Sequence, residues 1–345
     1  MSQRTHTAVS YQSEAALPDK SKTHIIKERR KRVTSYRMQQ WLFNLFHGLL
    51  VLGICFVILY PVLVKLSTSL MMERDLYDVT VNFIPRNFTL ENYQTAITHM
   101  RFWTAFRNSL ILCLSTSILQ LASCTLTAYG FARFKFPFKR TLFAFVILTL
   151  VVPPQAIMIP LYLHNRFFDI LGIAQFTTGG TLNLMDSFWP FFLTSATANG
   201  LRAGLFIYML RQYFRGSPKE LEDAAYVDGA NTFQTFIRIM LPGAVPMLVT
   251  VFLFSFVWQW TDTFYPSLFL TSTRVLPSAL STLSATVAQA YSADQFGGMQ
   301  YLSPGYTSIL NNAGSILVVL PLALMYIFLQ RYFVEGIERS GITGT

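Results

Sequence analysis

The sequence predicts an all-α, polytopic membrane protein with six transmembrane helices. Of its 345 residues, 52% are hydrophobic and only 13% are charged, whereas soluble domains carry about 25% charged residues. The mean hydropathy is +0.40, and the apolar runs lack the alternation of a membrane β-barrel, so helices are expected to satisfy the backbone. A helix needs about 20 residues to cross a bilayer. Six runs are long enough: Trp41–Val64, Asn108–Ala132, Thr141–Leu163, Phe188–Leu210, Gly243–Leu270 and Asn311–Gln330.

The distribution of lysine and arginine predicts which loops face the cytoplasm. Basic residues cluster before the first run and after the second, fourth and sixth, whereas the opposite loops are balanced or poor in them. Both termini, and the loop between the fourth and fifth helices, are therefore expected to be cytoplasmic. Residues 1–36 are expected to form a basic, mostly disordered tail, which either binds anionic lipid or only sets the topology. Residues 37–345 are expected to form the membrane domain.

Composition excludes several functional classes. The net charge is +10, but the basic residues flank membrane segments, so no nucleic-acid partner is expected. The three cysteines lie inside apolar runs, and His47 and His164 are isolated, so neither a disulfide framework nor a metal site is expected. No catalytic cluster stands out, which argues against an enzyme. The chain lacks the Gly-x-x-x-x-Gly-Lys-Ser/Thr phosphate loop, so the energy for transport has to come from a partner or an ion gradient.

Polar residues inside the apolar runs are candidates for a substrate path. The fourth run contains one charged residue, Arg202, and the fifth contains only Asp262, which follows Trp258, Gln259 and Trp260. A carboxylate beside aromatic rings is typical of sugar recognition, but the same residues are typical of an aromatic belt at the outer interface. Arg202 lies either near the middle of the membrane or at its surface, and two neighbouring glycines allow a break in the helix. The residues leave these alternatives open.

The loop between the fourth and fifth runs predicts a compact pair of short helices. Ser217 is a natural N-cap, and Glu220 completes a capping box. Gly229 supplies the left-handed residue that ends a helix. A second helix is expected to begin at Asn231, with a glutamine three residues later, and to end before Pro242.

One face of the first short helix is unusually small. Leu221, Ala224, Ala225 and Asp228 fall on one stripe at helical spacing. The alanine pair suits a knob that enters a groove on a partner, but alanines chosen for helix propensity in a hairpin returning to the membrane explain it equally well. A DNA-binding helix-turn-helix is disfavoured because the segment is acidic, with Glu220, Glu222, Asp223 and Asp228.

The segment resembles the cytoplasmic EAA loop of inner-membrane permeases of binding-protein-dependent ABC importers. That pattern is EAA, three residues, Gly, nine residues and Ile-x-Leu-Pro, and the chain has Asp223-Ala224-Ala225, Gly229 and Ile239–Pro242 at those spacings. The one departure is Asp223, whose carboxylate reaches less far than the usual glutamate. The whole resemblance covers residues 41–345. Further segments resemble carbohydrate permeases of the maltose-importer type: Phe88–Tyr93, Arg107–Leu110, Ala128–Phe136, Pro153–Gln155, Ile159–Tyr162 and Leu329–Gly336.

The resemblance implies an ATP-driven importer in the inner membrane of a bacterium or archaeon. Its solute would be a sugar, an oligosaccharide, a polyol or a sugar phosphate. The chain would line the translocation path with a second, homologous permease, two cytoplasmic subunits would bind the ATP, and an extracytoplasmic protein would deliver the solute. The permease itself would hold no cofactor, and membrane lipid would surround it.

The same resemblance implies that the loop couples the permease to the ATPase. The coupling residues are expected to be Glu222, Asp223, Ala224, Ala225, Asp228, Gly229 and Ala230. The alternative is a secondary transporter driven by an ion gradient. That alternative explains Arg202 and Asp262 but gives no reason for the capped helix pair.

Overall fold

The computed structural model describes residues 19–81, 83–169, 172, 175–176, 179–294 and 302–342. In this part of the chain the fold is helical, as predicted, and β-type pairing is limited to two isolated bridges. The helices are α1 (Asp19–Ser69), α2 (Glu73–Leu76), α3 (Glu91–His99), α4 (Phe102–Arg133), α5 (Lys139–Val151), α6 (Met158–Arg166), α7 (Trp189–Ala196), α8 (Ala203–Gly216), α9 (Glu220–Val227), α10 (Thr232–Thr235), α11 (Leu241–Gly243), α12 (Val245–Thr261), α13 (Phe264–Phe269), α14 (Leu276–Ser281), α15 (Leu283–Asp294) and α16 (Pro304–Ile342), with a 3₁₀ turn at Pro154–Ile157 and a π-helical turn at Phe236–Met240.

The chain divides into two compact units, Met1–Val64 and Lys65–Thr345. In the first unit, α1 begins at Asp19, so residues 19–36 are helical and not disordered as expected. Residues 1–18 of the predicted tail lie outside the described part. The stretch from Asp19 to the apolar run contains neither proline nor glycine, so no residue interrupts the helix that continues into the membrane segment.

Length and composition identify three described helices that can each cross a bilayer alone, and two bent helix pairs raise the number to as many as five. The three single helices correspond to the predicted first, second and sixth runs, and the two bent pairs correspond to the third and fifth. In the third, the break follows Val152, which has an extended backbone and precedes Pro153, as the proline ring requires. The segments are Met38–Ser69, Phe102–Arg133 and Pro304–Phe328, then Lys139–Val151 with Pro154–Arg166, bent by 101°, and Thr232–Gly243 with Val245–Thr261, bent by 76°.

The predicted fourth run is a broken helix, because residues 197–202 separate α7 from α8. Non-helical backbone within a membrane segment needs hydrogen-bond partners from the protein. Two side chains of α4 supply them: Gln120 Nε2 donates to the carbonyl of Leu201 at 2.7 Å, and Ser123 Oγ donates to the carbonyl of Ser195 at 2.6 Å. The break and the helix end before it are therefore tied to α4 by two side-chain hydrogen bonds.

The core that positions the loop at residues 217–242 lies among α4, α8 and α12. Phe206, Leu210 and Phe214 of α8 are fully buried there. The free thiols of Cys113 and Cys124 are also buried, as expected for packing residues, whereas Cys55 is exposed. The end of α4 that faces the loop is thus held in a densely packed helix bundle.

A single carboxylate, that of Asp186, joins two segments that are distant in the sequence. Its Oδ1 accepts hydrogen bonds from the backbone N–H groups of Thr271, Ser272 and Thr273 at 3.0, 2.9 and 2.9 Å. Its own N–H donates to the carbonyl of Phe269 at 2.7 Å. The Ser272 hydroxyl, which binds Oδ2, and these N–H groups hold the pKa of Asp186 well below its usual range.

We expect the substitution Asp186→Asn to lower the melting temperature at neutral pH, because an amide oxygen accepts these hydrogen bonds more weakly than a carboxylate. The folded-state pKa is depressed, so the carboxylate stabilises the fold above the unfolded pKa of about 3.9. That stabilisation is lost as the pH falls through the folded pKa. Thermal melts in detergent should show a constant gap between wild type and variant above about pH 5, and a shrinking gap below about pH 4.

Asp78→Asn is the matched control. The pKa of Asp78 is also lowered, chiefly by its hydrogen bonds to Thr80, but its partners Thr80 and Arg86 belong to its own loop. Asp78→Asn should therefore lower the melting temperature less than Asp186→Asn does. Equal losses for the two variants would show that Asp186 does not act by joining distant segments.

Candidate functional site

The first short helix of the loop begins later than the sequence predicts. The capping box of Ser217 and Glu220 is not formed, and α9 begins at Glu220 without a side-chain cap. Ser217 instead ends α8, because its N–H and its Oγ both donate to the carbonyl of Tyr213 at 3.1 Å. Nη2 of Arg133 binds the carbonyl of Ser217 at 2.8 Å. Contacts to the membrane helices thus override the local capping signal.

The predicted end of α9 and the start of the next helix are confirmed. Gly229 has a φ of +83°, and its N–H donates to the carbonyl of Tyr226 at 3.1 Å, while that of Ala230 donates to Ala225 at 2.9 Å. These two bonds define a Schellman C-cap. Asn231 Oδ1 then accepts from the N–H of Gln234 at 2.8 Å, and Gln234 Oε1 accepts from the N–H of Asn231 at 3.0 Å, which is the predicted capping box.

The second helix does not end before Pro242 as predicted. Helical structure continues from Thr232 through the π-helical turn at Phe236–Met240 into α11, which contains Pro242 in its first turn. Proline is tolerated in the first turn of a helical segment because its missing N–H needs no partner there. The loop therefore passes directly into α12 through a bend.

One face of α9 is buried against the chain's own membrane helices. Glu222 and Ala225 lie on this face. The Glu222 carboxylate accepts a hydrogen bond from the Tyr129 hydroxyl at 3.0 Å and forms an ion pair with Nε of Arg133 at 3.2 Å. The side chains of Arg133 and Glu222 are only 7% and 10% exposed. Two of the residues expected to meet the ATPase, Glu222 and Ala225, therefore face inward.

The opposite face of α9 is open and largely apolar. Asp223, Ala224 and Asp228 are exposed there, and Leu221 and Val227 expose 49% and 88% of their surface. Gly229 is also exposed, and Ala230 is partly buried. The predicted stripe is thus divided between two faces, because Ala224 points outward while Ala225 packs inward.

The structure does not bring the five candidate residues of the substrate path together. Trp260 is buried, donates from Nε1 to the carbonyl of Val318 at 3.1 Å, and packs edge-on against Phe106. Gln259 is also buried. Neither side chain reaches an open surface of this chain, and their place in a substrate path stays a prediction.

The other three candidates occupy two separate places. The Asp262 carboxylate accepts hydrogen bonds from the N–H groups of Phe264 and Tyr265, the first two residues of α13, at 3.1 and 3.3 Å. Arg202 has a left-handed φ of 57° at the start of α8, and its guanidinium lies 4.6 Å from the ring centroid of Trp258. Arg202 and Trp258 therefore form one cation–π pair. In the described residues, no group of three or more His, Cys, Asp or Glu side chains is arranged to hold a metal ion.

Sequence reasoning missed Tyr129 and Arg133 as partners of the loop. One weak signal was present: Glu222 lies three residues before Ala225 and therefore on the same helical face. Arg133 is the first basic residue after the second apolar run. Their pairing depends on two segments that no local pattern connects.

Comparison with known proteins places the chain among membrane transport components. Residues 124–339 match the family described as "Binding-protein-dependent transport system inner membrane component". A probable ABC transporter permease protein of Pyrococcus horikoshii is 32% identical over 73% of this chain and 80% of its own length. The arabinooligosaccharides transport system permease protein AraQ of Halalkalibacterium halodurans is 27% identical over 84% of this chain and 93% of its own.

The fold also matches a solved structure. A chain in the crystal structure of a bacterial ABC transporter that imports the acidic polysaccharide alginate aligns with a TM-score of 0.64. The alignment covers 85% of this chain and 96% of that one, at 19% sequence identity. At 19% sequence identity this similarity shows a shared fold alone.

Proposed function

The chain belongs to the family of binding-protein-dependent transport system inner membrane components, and from this premise we propose how it works as the permease subunit of a carbohydrate importer. It is a multi-pass membrane protein that transports and does not catalyse a chemical reaction. Its similarity to an arabinooligosaccharide permease and its maltose-importer-type motifs support an oligosaccharide or a related sugar as the solute. A second, homologous permease completes the path, and an extracytoplasmic binding protein delivers the solute.

The proposed topology has six spans with both termini in the cytoplasm. Three single helices and two bent pairs supply five spans, and the broken pair α7 and α8 supplies the sixth. The excess of lysine and arginine next to α4 and α8 then lies on the cytoplasmic side. This topology places the loop at residues 217–242 where it can meet a soluble ATPase.

The open face of α9 is the observation that carries the proposal. Leu221 and Val227 expose apolar surface beside the small Ala224, and an exposed apolar patch outside the membrane is typical of a protein interaction site. Phe233 of α10 is 67% exposed and extends the apolar surface. Asp223 and Asp228 at its edge suit basic partner residues. We assign this face, Leu221, Asp223, Ala224, Val227, Asp228 and Phe233, as the ATPase-docking face.

A reconstitution experiment tests the proposal against the ion-gradient alternative. The complete importer is placed in liposomes with labelled oligosaccharide and its binding protein outside. We expect uptake only when ATP is enclosed, because this chain has no phosphate loop and the ATP is bound by the partner subunits. The matched control carries a substitution of the phosphate-loop lysine in the ATPase subunit and should be inactive. Uptake by this chain alone under a proton or sodium gradient would contradict the proposal and favour a secondary transporter.

A further inference from the structure

The inward face of α9 is attached to the end of α4 by a buried ion pair. Glu222 contacts Nε of Arg133 at 3.2 Å and the Tyr129 hydroxyl at 3.0 Å. Arg133 also donates from Nη2 to the carbonyl of Ser217 at 2.8 Å, three residues before α9 begins. A single arginine of α4 therefore holds both the helix and the segment that leads into it.

Aromatic rings surround this attachment. The Tyr129 ring packs against Phe134, Phe214 and Phe236, with centroid distances of 5.6, 5.4 and 4.7 Å. These rings come from the end of α4, from α8 and from the π-helical turn after α10. The ion pair is thus shielded from water on the membrane side, where charges interact strongly but are costly to bury.

The ion pair suits a positioning contact more than a stabilising one. A buried ion pair contributes little net stability compared with apolar side chains of similar size, but it restricts the arrangement of the groups that form it. Helix α9 has only eight residues, and Ser217–Lys219 and Gly229 flank it without regular helix. The hydrogen bond from Tyr129 to Glu222, together with the buried side chain of Ala225, fixes the orientation of this short helix on the bundle. Helix α4, by contrast, has 32 residues and runs through the core.

We infer that Glu222 is a positioning residue that locks α9 to α4, so that force on the ATPase-docking face moves α4. This inference rests on the proposed function and deepens it. It revises the expectation that Glu222 meets the ATPase directly, because its carboxylate is buried and already engaged by Tyr129 and Arg133. Asp223, the next residue, is exposed and takes the docking role.

The test compares Glu222→Gln with Asp223→Asn, two neighbouring carboxylate-to-amide changes, in the complete reconstituted importer. For Glu222→Gln we expect normal amounts of bound ATPase and normal ATP hydrolysis, while solute uptake per ATP falls about fivefold or more. For Asp223→Asn we expect less bound ATPase and slower hydrolysis, with uptake per ATP unchanged. Loss of ATPase binding in Glu222→Gln, or an unchanged uptake per ATP, would overturn the inference.

Two further variants keep the test decisive. Tyr129→Phe removes one contact to Glu222 with little change in shape. It should also lower uptake per ATP, and it therefore tests the inference even if Glu222→Gln folds poorly. If Glu222 and Arg133 form one link, the double variant Glu222→Gln with Arg133→Gln should be no worse coupled than the worse single variant. Additive losses would count against a shared link. Failure of the wild-type importer to bind an ATPase would instead refute the proposed function itself.

Discussion

Replacing Ala224 by glutamate is expected to abolish ATP-driven uptake while leaving the permease inserted in the membrane. Ala224 is exposed on the docking face, between the side chains of Leu221 and Val227. The longer side chain can therefore extend into solvent in the isolated permease. In the assembled importer, however, it would bury an unpaired carboxylate at the interface. That costs about 3–5 kcal/mol, and since each 1.4 kcal/mol is about tenfold in affinity, docking should weaken more than about a hundredfold.

The measurement is the amount of ATPase subunit that co-purifies with the tagged permease, together with uptake in liposomes. Ala224→Ser is the matched control, because serine keeps the small size without a charge and should retain both activities. The amount of variant permease in the membrane, and its elution as a single species in detergent, report insertion and folding. Normal uptake by Ala224→Glu would remove this face from the coupling mechanism.

Replacing Gly204 by alanine is expected to destabilise the fold. A Cβ atom at Gly204 would lie 2.6 Å from Oγ1 of Thr149 and 2.7 Å from the backbone carbonyl oxygen of Val146. The threonine side chain can rotate away, but the carbonyl belongs to the backbone of α5. Helices α5 and α8 therefore have to separate, and such overpacking costs about 1–3 kcal/mol. Close approach through small residues is how membrane helices gain packing energy.

Gly216→Ala is the matched control for this prediction. Gly216 ends the same helix, α8, but no atom lies within 4 Å of a Cβ built there. Because alanine is a better helix former than glycine, this variant should match the wild type or gain about 0.5–1 kcal/mol. Thermal unfolding in detergent measures both. If the two variants melt at the same temperature, the close contact between α5 and α8 is not significant for stability.

Local signals predicted the middle of the loop correctly, at Gly229 and Asn231, but not its two ends at Ser217 and Pro242. The glycine stop at Gly229 and the capping box at Asn231 depend on bonds between residues a few positions apart, so neighbouring residues specify them. Ser217 carries an equally clear capping signal, but Arg133 and the end of α8 hold it in another role. A local preference prevails only where no distant contact competes with it.

The substrate path shows the same limit more strongly. The sequence places Trp258, Gln259 and Trp260 next to one another, but successive helical residues point in different directions. The structure buries Trp260 between helices and places Trp258 beside Arg202. Which of the three reaches an open surface depends on the packing of α4, α8 and α16 around α12, and no sequence period reveals that.

The sequence by itself determined that this protein spans a membrane, that it is helical, and that it carries a capped helical loop of the importer type, because hydropathy, helix capping and motif spacing are local properties. Only the tertiary structure decided that Glu222 faces inward and Ala224 outward, and that the predicted fourth run is a broken helix. The Tyr129–Glu222 contact joins residues 93 positions apart, and Gln120 reaches Leu201 across 81. Such pairs form only when the helices pack, since burial and directional hydrogen bonds together select them.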